Sequence, residues 1–313
     1  MGRESEAVGS GLKKEEILPL IAAALKEDVG PRDVTSAALI PKGQAARAEL
    51  VVRRDGVIAG LPVAEWTFSL ADPKIRFQPM VKEGQRIYAD KAVVFLEGPA
   101  RGILAGERVA LNFIGRLSGI ATLTRAFVEK VKGTPAKILD TRKTTPGLRL
   151  LERYAVSAGG GVNHRMGLYD QVLIKENHLR ILADQKGSGR PGTLSAVERA
   201  VALARAGSPR GGTSIEVEVT NLQEFREALA AQAELILLDN MTLAQIQEAV
   251  RLRDAVAKSG RRAKPLLEAS GGINLQNVRA VAAAGVDRIS VGALTHSAPA
   301  LDVALEILGE VKQ

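Results

Sequence analysis

The chain has 313 residues, of which 46% are hydrophobic and 25% charged, a composition typical of one large globular domain or two smaller ones. Its formal net charge is +8, but Lys and Arg are spread along the chain and only 3% of residues are aromatic, which favours small anionic ligands over nucleic acid. The absence of Cys excludes disulfides, thiolate chemistry and cysteine zinc sites.

The three His residues are not spaced as a helical metal-binding pair, so a bound metal is expected to be a hard cation such as Mg²⁺ held by carboxylates. The N-terminal run lacks the apolar segment of a signal peptide, and no apolar stretch reaches membrane-spanning length. Glu6 occupies a position where an N-myristoylation motif has Ser or Thr. We therefore expect a cytoplasmic protein without a membrane partner.

The first hundred residues predict a mixed α/β region. Residues 1–11 are expected to be a disordered lead, and residues 13–27 carry apolar side chains at the spacing of an amphipathic helix. Residues 45–60 and 75–98 alternate polar and apolar side chains around Gly-containing turns, which predicts strands and hairpins of an antiparallel sheet.

The pattern changes from about residue 105 onward. Residues 106–133 are apolar at helical spacing and predict one or two helices. Short β-branched runs then alternate with Ala-rich stretches, as in repeated β-α units, and right-handed crossovers would make the strands parallel. The six predicted strands are Lys137–Leu139, Gln171–Ile174, Ser214–Val219, Leu235–Leu238, Pro265–Ala269 and Arg288–Val291.

Charged, hydroxyl or Gly residues lie at the carboxyl end of all six predicted strands, where α/β enzymes place their chemistry. Arg142 and Lys143 follow the first strand together with Thr144, a combination that suits a carboxylate or phosphate. A second basic pair, His164 and Arg165, follows a run of three Gly residues. The alternatives are a solvated basic turn and a structural His.

Carboxylates form a second group of candidates. Glu216 and Glu218 lie two apart on one strand, so their side chains share a face, and Asp239 ends the next strand. Together they could hold Mg²⁺ or ribose hydroxyls, or they could form ion pairs with Arg142, Lys143 and Lys175 without a ligand.

Gly-bearing strand ends at Ser270–Gly271 and Gly292 could bind phosphate through backbone N–H groups, or they could be tight turns. By its position alone, Arg108 is a solvated or ion-paired residue of the long helix. The Gly-rich segments 183–193 and 206–213 predict surface loops, either of which could cover a site.

Several runs resemble the quinolinate phosphoribosyltransferase family in the family's order, over about residues 105–297. They are GERVALNFIGRLSGIAT, KILDTRKTTPGLRLLERYAVSAGGGVNHRMGLYDQVLIKENHL, IEVEV, LILLDNM, LEASGGI and ISVGALTHS. The opening EDVGPRDVTSAALIP is also similar, although Arg32 stands where the family usually has Gly.

The resemblance implies a pentosyltransferase that converts quinolinate and phosphoribosyl pyrophosphate to nicotinate mononucleotide, pyrophosphate and CO₂, with Mg²⁺, in NAD biosynthesis. It also implies an N-terminal α/β sandwich (1–116), joined by a C-terminal tail (about 296–313), and an incomplete α/β barrel (117–295). A homo-oligomer, either a dimer or a hexamer of dimers, with shared active sites is expected.

The same resemblance implies roles for individual residues. Those similar to the family's quinolinate-binding residues are Arg142, His164, Arg165 and Lys175, with Arg108 donated by the partner subunit. Those that serve the phosphoribosyl donor are Lys143 beside the pyrophosphate, Glu218 and Asp239 at Mg²⁺ and the ribose, and Ser270, Gly271 and Gly292 at phosphate. Lys143, Glu218 and Asp239 are the expected catalytic residues.

Two alternatives remain open. A paralogue on the same fold, such as the molybdenum-transport-associated homologue, could keep the phosphoribosyl site and change the acceptor, although the full set of basic residues argues against it. A non-catalytic anion- or nucleic-acid-binding protein is disfavoured by the spread of charge and the few aromatic residues.

Overall fold

The computed structural model describes residues 11–183, 194–207, 214–258 and 263–310. These residues form two compact units: the first lies within the ranges 1–125, 144–161 and 294–313, and the second within 126–143 and 162–293. Apart from their border residues, the predicted disordered lead and the two predicted surface loops lie outside the described residues.

The helices and strands follow one another along the chain much as the sequence patterns predict. The helices are α1 (Lys14–Val29), α2 (Val34–Leu39), α3 (Leu61–Ala71), α4 (Ala100–Val131), α5 (Arg149–Ala158), α6 (Glu176–Ala183), α7 (Ala196–Gly207), α8 (Leu222–Ala230), α9 (Leu243–Lys258), α10 (Val278–Ala283) and α11 (Ala293–His296). The strands are β1 (Ala45–Val52), β2 (Gly56–Val57), β3 (Arg76–Pro79), β4 (Arg86–Ile87), β5 (Lys91–Pro99), β6 (Lys137–Leu139), β7 (Val172–Ile174), β8 (Ile215–Val219), β9 (Leu235–Asp239), β10 (Leu266–Ser270), β11 (Arg288–Ser290) and β12 (Val303–Glu310).

The first unit is built on an antiparallel sheet in the order β12-β1-β5-β3. β1 lies inside the sheet and pairs with both β5 and β12, so the C-terminal strand joins the sheet formed by the first hundred residues. Leu50 and Leu96, on β1 and β5, pack in one buried cluster with Phe68 of α3 and Ile103 of α4. The antiparallel sheet predicted from residues 45–98 is confirmed.

Helix α4 continues unbroken for 32 residues, although it contains Gly residues that usually weaken a helix interior. A Cβ at Gly119 would lie 2.0 Å from the backbone oxygen of Pro299, and one at Gly115 would lie 2.9 Å from that of Leu301. The N–H of Leu301 donates to the Gly115 carbonyl at 2.9 Å. The glycines therefore allow the segment before β12 to pack directly on the helix backbone.

The second unit contains six parallel strands in the order β6-β11-β10-β9-β8-β7. All six strand predictions are confirmed, with ends that differ by at most one residue. β6 and β7 lie at the two edges and, among the described strands, do not pair with each other, so the sheet forms an open, incomplete α/β barrel. The predicted fold class is therefore confirmed.

The compact units do not have the predicted boundaries, since the first unit extends to residue 125 rather than 116 and resumes at 294 rather than about 296. Residues 144–161 were predicted within the barrel domain 117–295 but cluster with the first unit. There the fully buried Glu152 of α5 accepts hydrogen bonds from Arg116 (2.7 Å) and from the Thr145 hydroxyl (2.8 Å). A buried carboxylate needs such partners, and these hydrogen bonds connect α5 to α4.

Among the described helices, none combines the length and the apolar character that a membrane span requires.

A buried ionic cluster connects α9 to the starts of β10 and β11. Arg253 is 2% exposed and donates to Asp287 at 2.6 Å, to Asp254 at 2.9 Å and to the Gly285 carbonyl at 3.2 Å. Asp287 also accepts the Leu267 N–H at 2.8 Å. Removal of the guanidinium would leave the Asp287 carboxylate without its main partner.

We expect Arg253→Ala to lower the free energy of unfolding by about 2–4 kcal/mol, because breaking a buried ion pair strands the remaining charge. Urea unfolding measures the loss. Arg251→Ala is the matched control on the same helix, since Arg251 pairs with Glu248 on the exposed surface and should leave the midpoint unchanged. Equal midpoints for the two variants would contradict the prediction.

Candidate active site

A cavity of about 440 Å³ lies within the second unit, at the carboxyl ends of its parallel strands. Its position follows from the fold, since side chains just after each strand converge at this end of the sheet. Nine of the predicted site residues line it: Arg142, Lys143, His164, Arg165, Lys175, Glu218, Asp239, Ser270 and Gly271.

Three predicted residues are not among those that line the cavity. Arg108 is exposed on α4 and makes no hydrogen bond or ion pair with the described residues. The Thr144 hydroxyl accepts a hydrogen bond from Arg149 Nε at 3.0 Å, so it has a partner within the first unit. Gly292 follows β11, two residues after Ser290, which does line the cavity.

Two guanidinium groups lie close together on one side of the cavity. Arg165 is only 8% exposed and donates to the Gln171 carbonyl at 3.1 Å. Burial, together with the positive charge of Arg142, lowers the pKa of Arg165. Two neighbouring cations away from solvent repel each other, and an anion bound between them would remove that cost. On the turn that carries Arg142 and Lys143, Arg142 is partly buried, whereas Lys143 is exposed, as the alternative of a solvated basic turn predicts.

The carboxylates form two sets that differ in exposure. Glu216 and Glu268 are fully buried, and we call them the inner carboxylates. Glu218 and Asp239 are partly exposed, and we call them the outer carboxylates. Glu218 forms an ion pair with Lys175, as the structural alternative predicted for this strand.

His164 is held on all sides by neighbouring groups. Its backbone N–H donates to the buried Asp140 at 2.7 Å, and its Nδ1 accepts the Arg165 N–H at 2.7 Å. Its Nε2 lies 3.3 Å from Glu216 Oε2 and 3.4 Å from Glu268 Oε1. Glu216 therefore pairs with His164, which was not among the partners predicted for it (Arg142, Lys143 and Lys175).

The protonation state of the His164 ring and those of the inner carboxylates depend on one another. Burial lowers the pKa of His164, but the neighbouring carboxylates of Glu216 and Glu268 outweigh it and raise the pKa to about 10. Burial also raises the pKa of Glu216. In the neutral ring the Arg165 N–H occupies the lone pair of Nδ1, so the ring proton lies on Nε2, next to the carboxylates.

The same three side chains are the one group of three potential metal ligands found among the described residues, with ligand atoms within 4.8 Å of one another. A metal on Nε2 would require a proton on Nδ1, directly opposite the Arg165 N–H. The hydrogen bonding of His164 therefore disfavours a metal there.

The outer carboxylates suit a hard cation better, as the sequence predicts. Both Glu218 and Asp239 line the cavity, and Asp239 Oδ2 accepts a hydrogen bond from Asn240 at 2.9 Å. Mg²⁺ is commonly held by one or two carboxylates, with water and substrate phosphate as the remaining ligands. The donor set fits that mode of binding.

A Gly-rich turn closes the cavity after β10. Gly271 and Gly272 have φ values of +89° and +62°, which Gly adopts without strain. The Asn240 N–H donates to the Ser270 carbonyl at 2.9 Å, and a Cβ at Gly271 would lie 2.3 Å from Asn240 Oδ1. The turn therefore packs against the end of β9 with no room for a side chain.

Sequence reasoning missed several residues of the cavity, of which Glu268, Ser290 and Asn240 carry polar groups. The signal for the first two was the two-residue period of a strand, because Glu268 lies two residues before Ser270 and Ser290 two before Gly292. Asn240 adjoins Asp239. Its positive φ of +52° had no signal in the sequence.

The open barrel and its cationic cavity define an α/β enzyme that binds small anions. The model of the quinolinate phosphoribosyl transferase C-terminal domain matches residues 120–306, and that of the N-terminal domain matches residues 33–118. The chain belongs to the quinolinate phosphoribosyl transferase family.

Relatives with related names match nearly the whole chain. A probable nicotinate-nucleotide pyrophosphorylase (carboxylating) from Synechocystis is 41% identical over 292 residues, 93% of this chain and 92% of the relative. A probable nicotinate-nucleotide pyrophosphorylase (carboxylating) from Bacillus subtilis is 40% identical, and the match covers 90% of this chain and 90% of that relative. The crystal structure of NadC from Streptococcus pyogenes has a TM-score of 0.85 and 38% identity, and the match covers 96% of this chain and all of that one.

We expect Gly271→Ala to lower the free energy of unfolding more than Gly272→Ala. Both substitutions place Ala in the left-handed region at a cost of about 1–2 kcal/mol, but only the first adds a clash with Asn240, since no atom lies within 4 Å of a Cβ at Gly272. Urea unfolding of both variants measures the difference. A Gly271→Ala protein as stable as Gly272→Ala would contradict the close packing of this turn.

Proposed function

We propose that this protein transfers the phosphoribosyl group of phosphoribosyl pyrophosphate to quinolinate with loss of CO₂, yielding nicotinate mononucleotide and pyrophosphate in NAD biosynthesis. The observation that carries the proposal is the pairing, in one cavity, of buried Arg165 beside Arg142 with the outer carboxylates. A dianionic acceptor suits the cations, and a ribose that becomes positively charged suits the carboxylates. The names of the relatives support the same reaction.

The basic residues would bind quinolinate through its two carboxylates. Guanidinium groups pair with carboxylates through two parallel hydrogen bonds, so Arg142 and Arg165 can fix both position and ring orientation. Lys175 adds a third cation, which Glu218 holds in place before the substrate arrives. Orientation of this kind brings the pyridine nitrogen towards the sugar.

Transfer would begin when the pyridine nitrogen attacks the anomeric carbon and the bond from that carbon to pyrophosphate breaks. Positive charge builds on the ribose in the transition state, and Glu218 and Asp239 can stabilise it. Lys143 is exposed at the cavity and would neutralise the departing pyrophosphate. Ser270 and Gly271, with Gly292 beyond β11, would bind phosphate through hydroxyl and backbone N–H groups.

Decarboxylation would follow on the alkylated ring. When the bond to the 2-carboxylate breaks and CO₂ leaves, its electron pair stays on the ring carbon, where the positive pyridinium nitrogen stabilises it until a proton takes the place of CO₂. This step needs no protein nucleophile, in keeping with a chain that contains no Cys. The protein would contribute position and electrostatics rather than covalent catalysis.

Mg²⁺ is part of the proposal, with Glu218 and Asp239 as the residues that would hold it together with substrate oxygens. When bound, it would neutralise charge on the pyrophosphate. Glu268, the other described carboxylate that lines the cavity, lies against His164, as does Glu216.

A homo-oligomer with shared sites, a dimer or a hexamer of dimers, is the second part of the proposal. Arg108 is a cation without a hydrogen-bond or ion-pair partner among the described residues, and it lies in the first unit, whereas the cavity is built from the second. A neighbouring subunit could use it to complete the quinolinate site. We expect the enzyme to act in the cytoplasm, with no nucleic-acid or membrane partner.

Incubation with quinolinate, phosphoribosyl pyrophosphate and Mg²⁺ should release CO₂ and nicotinate mononucleotide in equal amounts, as measured by trapping labelled CO₂ and by chromatography. Chelation of divalent ions should stop the reaction, and added Mg²⁺ should restore it. Nicotinate should not replace quinolinate, because it lacks the carboxylate that leaves. Turnover of nicotinate without turnover of quinolinate would instead favour a paralogue with a changed acceptor.

Mixtures of two inactive variants should test whether sites are shared. Arg108→Ala and Lys175→Ala are each expected to lose activity, but hybrid oligomers would contain sites with both residues intact. About a quarter of the sites would be intact after random exchange within dimers, so activity should recover towards that fraction. Mass spectrometry confirms the exchange. Confirmed exchange without recovery would count against the shared site.

A further inference from the structure

Two buried carboxylates beside the cavity have no role in the proposed reaction. Glu216 and Glu268 are both 0% exposed, and Glu268 also lines the cavity. Glu216 Oε1 and both oxygens of Glu268 accept no hydrogen bond from the described residues. Burying carboxylates is unfavourable without compensation, so their retention points to a task.

Both inner carboxylates face the same atom, Nε2 of His164. Glu216 Oε2 lies 3.3 Å from it and also accepts a hydrogen bond from Gln171 at 3.1 Å, which fixes the Glu216 carboxylate. Glu268 Oε1 approaches from the other side at 3.4 Å. An imidazole that accepts at Nδ1 carries a proton on Nε2, so the carboxylates attract that proton and restrain the ring.

A fixed His164 ring also fixes Arg165, because the two residues are hydrogen-bonded to each other. His164 Nδ1 accepts the Arg165 N–H at 2.7 Å, while the His164 N–H is bound by Asp140 at 2.7 Å. These two hydrogen bonds fix the backbone of His164 and Arg165. Arg165 carries the buried guanidinium that faces the cavity, so a shift of the ring would displace the side chain that binds the acceptor.

We propose that Glu216 and Glu268 are positioning residues that hold the His164 ring and, through it, set the place of Arg165 for the anionic acceptor. They act through His164 and do not touch the substrate. This inference rests on the proposed function, because it assigns Arg165 to the binding of a pyridine dicarboxylate.

Steady-state kinetics test the positioning role. Glu216→Ala and Glu268→Ala should each raise the KM for quinolinate about tenfold or more, the loss expected when a hydrogen bond to a charged group is removed, and should change the KM for phosphoribosyl pyrophosphate much less. Glu268→Gln should recover most of the loss, because its amide oxygen can accept the Nε2 proton. Equal changes in the two KM values, or no recovery with Gln, would overturn the proposal.

A matched control and a double variant separate direct from indirect action. Glu234→Ala removes a carboxylate that bonds the Ile215 N–H at the start of β8, outside the cavity lining, and should keep wild-type kinetics. In a His164→Ala background, Glu268→Ala should add no further loss, since the ring it holds is gone. A full additional loss would show that Glu268 acts on the substrate itself and would overturn the proposal.

Nitrogen NMR of the His side chains tests the cluster without any turnover. The chain has three His residues, so ¹⁵N-His labelling gives a simple spectrum in which His296 is an internal control for folding. His164 should show a protonated Nε2, and Glu268→Ala should change its signals and leave those of His296 in place. An unprotonated Nε2 would overturn the cluster, whereas failure of the quinolinate assay alone would overturn only the proposed function.

Discussion

Like charges lie side by side at two places, one in the cavity and one beside it. The rest of the site depends on the groups that offset the repulsion between these charges. Burial and the positive charge of Arg142 together lower the pKa of Arg165, and Glu216 and Glu268 both lie within 3.4 Å of one imidazole nitrogen. The carboxylates are compensated within the protein by His164. The charges of Glu216 and Asp170 offset part of the charge of Arg165, and an anionic ligand in the cavity would offset more.

The open sheet explains why these charges can be gathered at all. Each strand contributes its last inward-facing residue and the residues just after it, so the ends of different strands supply separate functions to one cavity. Lys175 follows β7, whereas Glu218 and Asp239 come from β8 and β9. The neighbouring strands β7 and β8 thus contribute side chains of opposite charge, and the Lys175–Glu218 ion pair holds both before any ligand arrives.

Much of this site could be predicted from the sequence because the rules involved are local. Strand periodicity identified the six parallel strands, and the polar residues that follow them identified Arg142, Lys175 and Asp239. What could not be predicted depends on distant packing. Gly119 gave no sign that Pro299 lies against it, and nothing near Glu268 indicated that it faces His164. The roles assigned to individual site residues remain predictions.

His164 shows why residue type alone is a poor guide to a role. Its position behind three Gly residues predicted an anion-binding group, yet both ring nitrogens have partners within the protein. A ring engaged in this way can still shape the site, because it transmits the position of two buried carboxylates to a neighbouring guanidinium. Binding strength for the acceptor would then depend on residues that never contact it, and substitutions at Glu216 or Glu268 would resemble defects in Arg165. A buried charged residue beside a site can therefore act by restraining a neighbouring side chain. That neighbour should be identified before the charged residue is interpreted as a ligand.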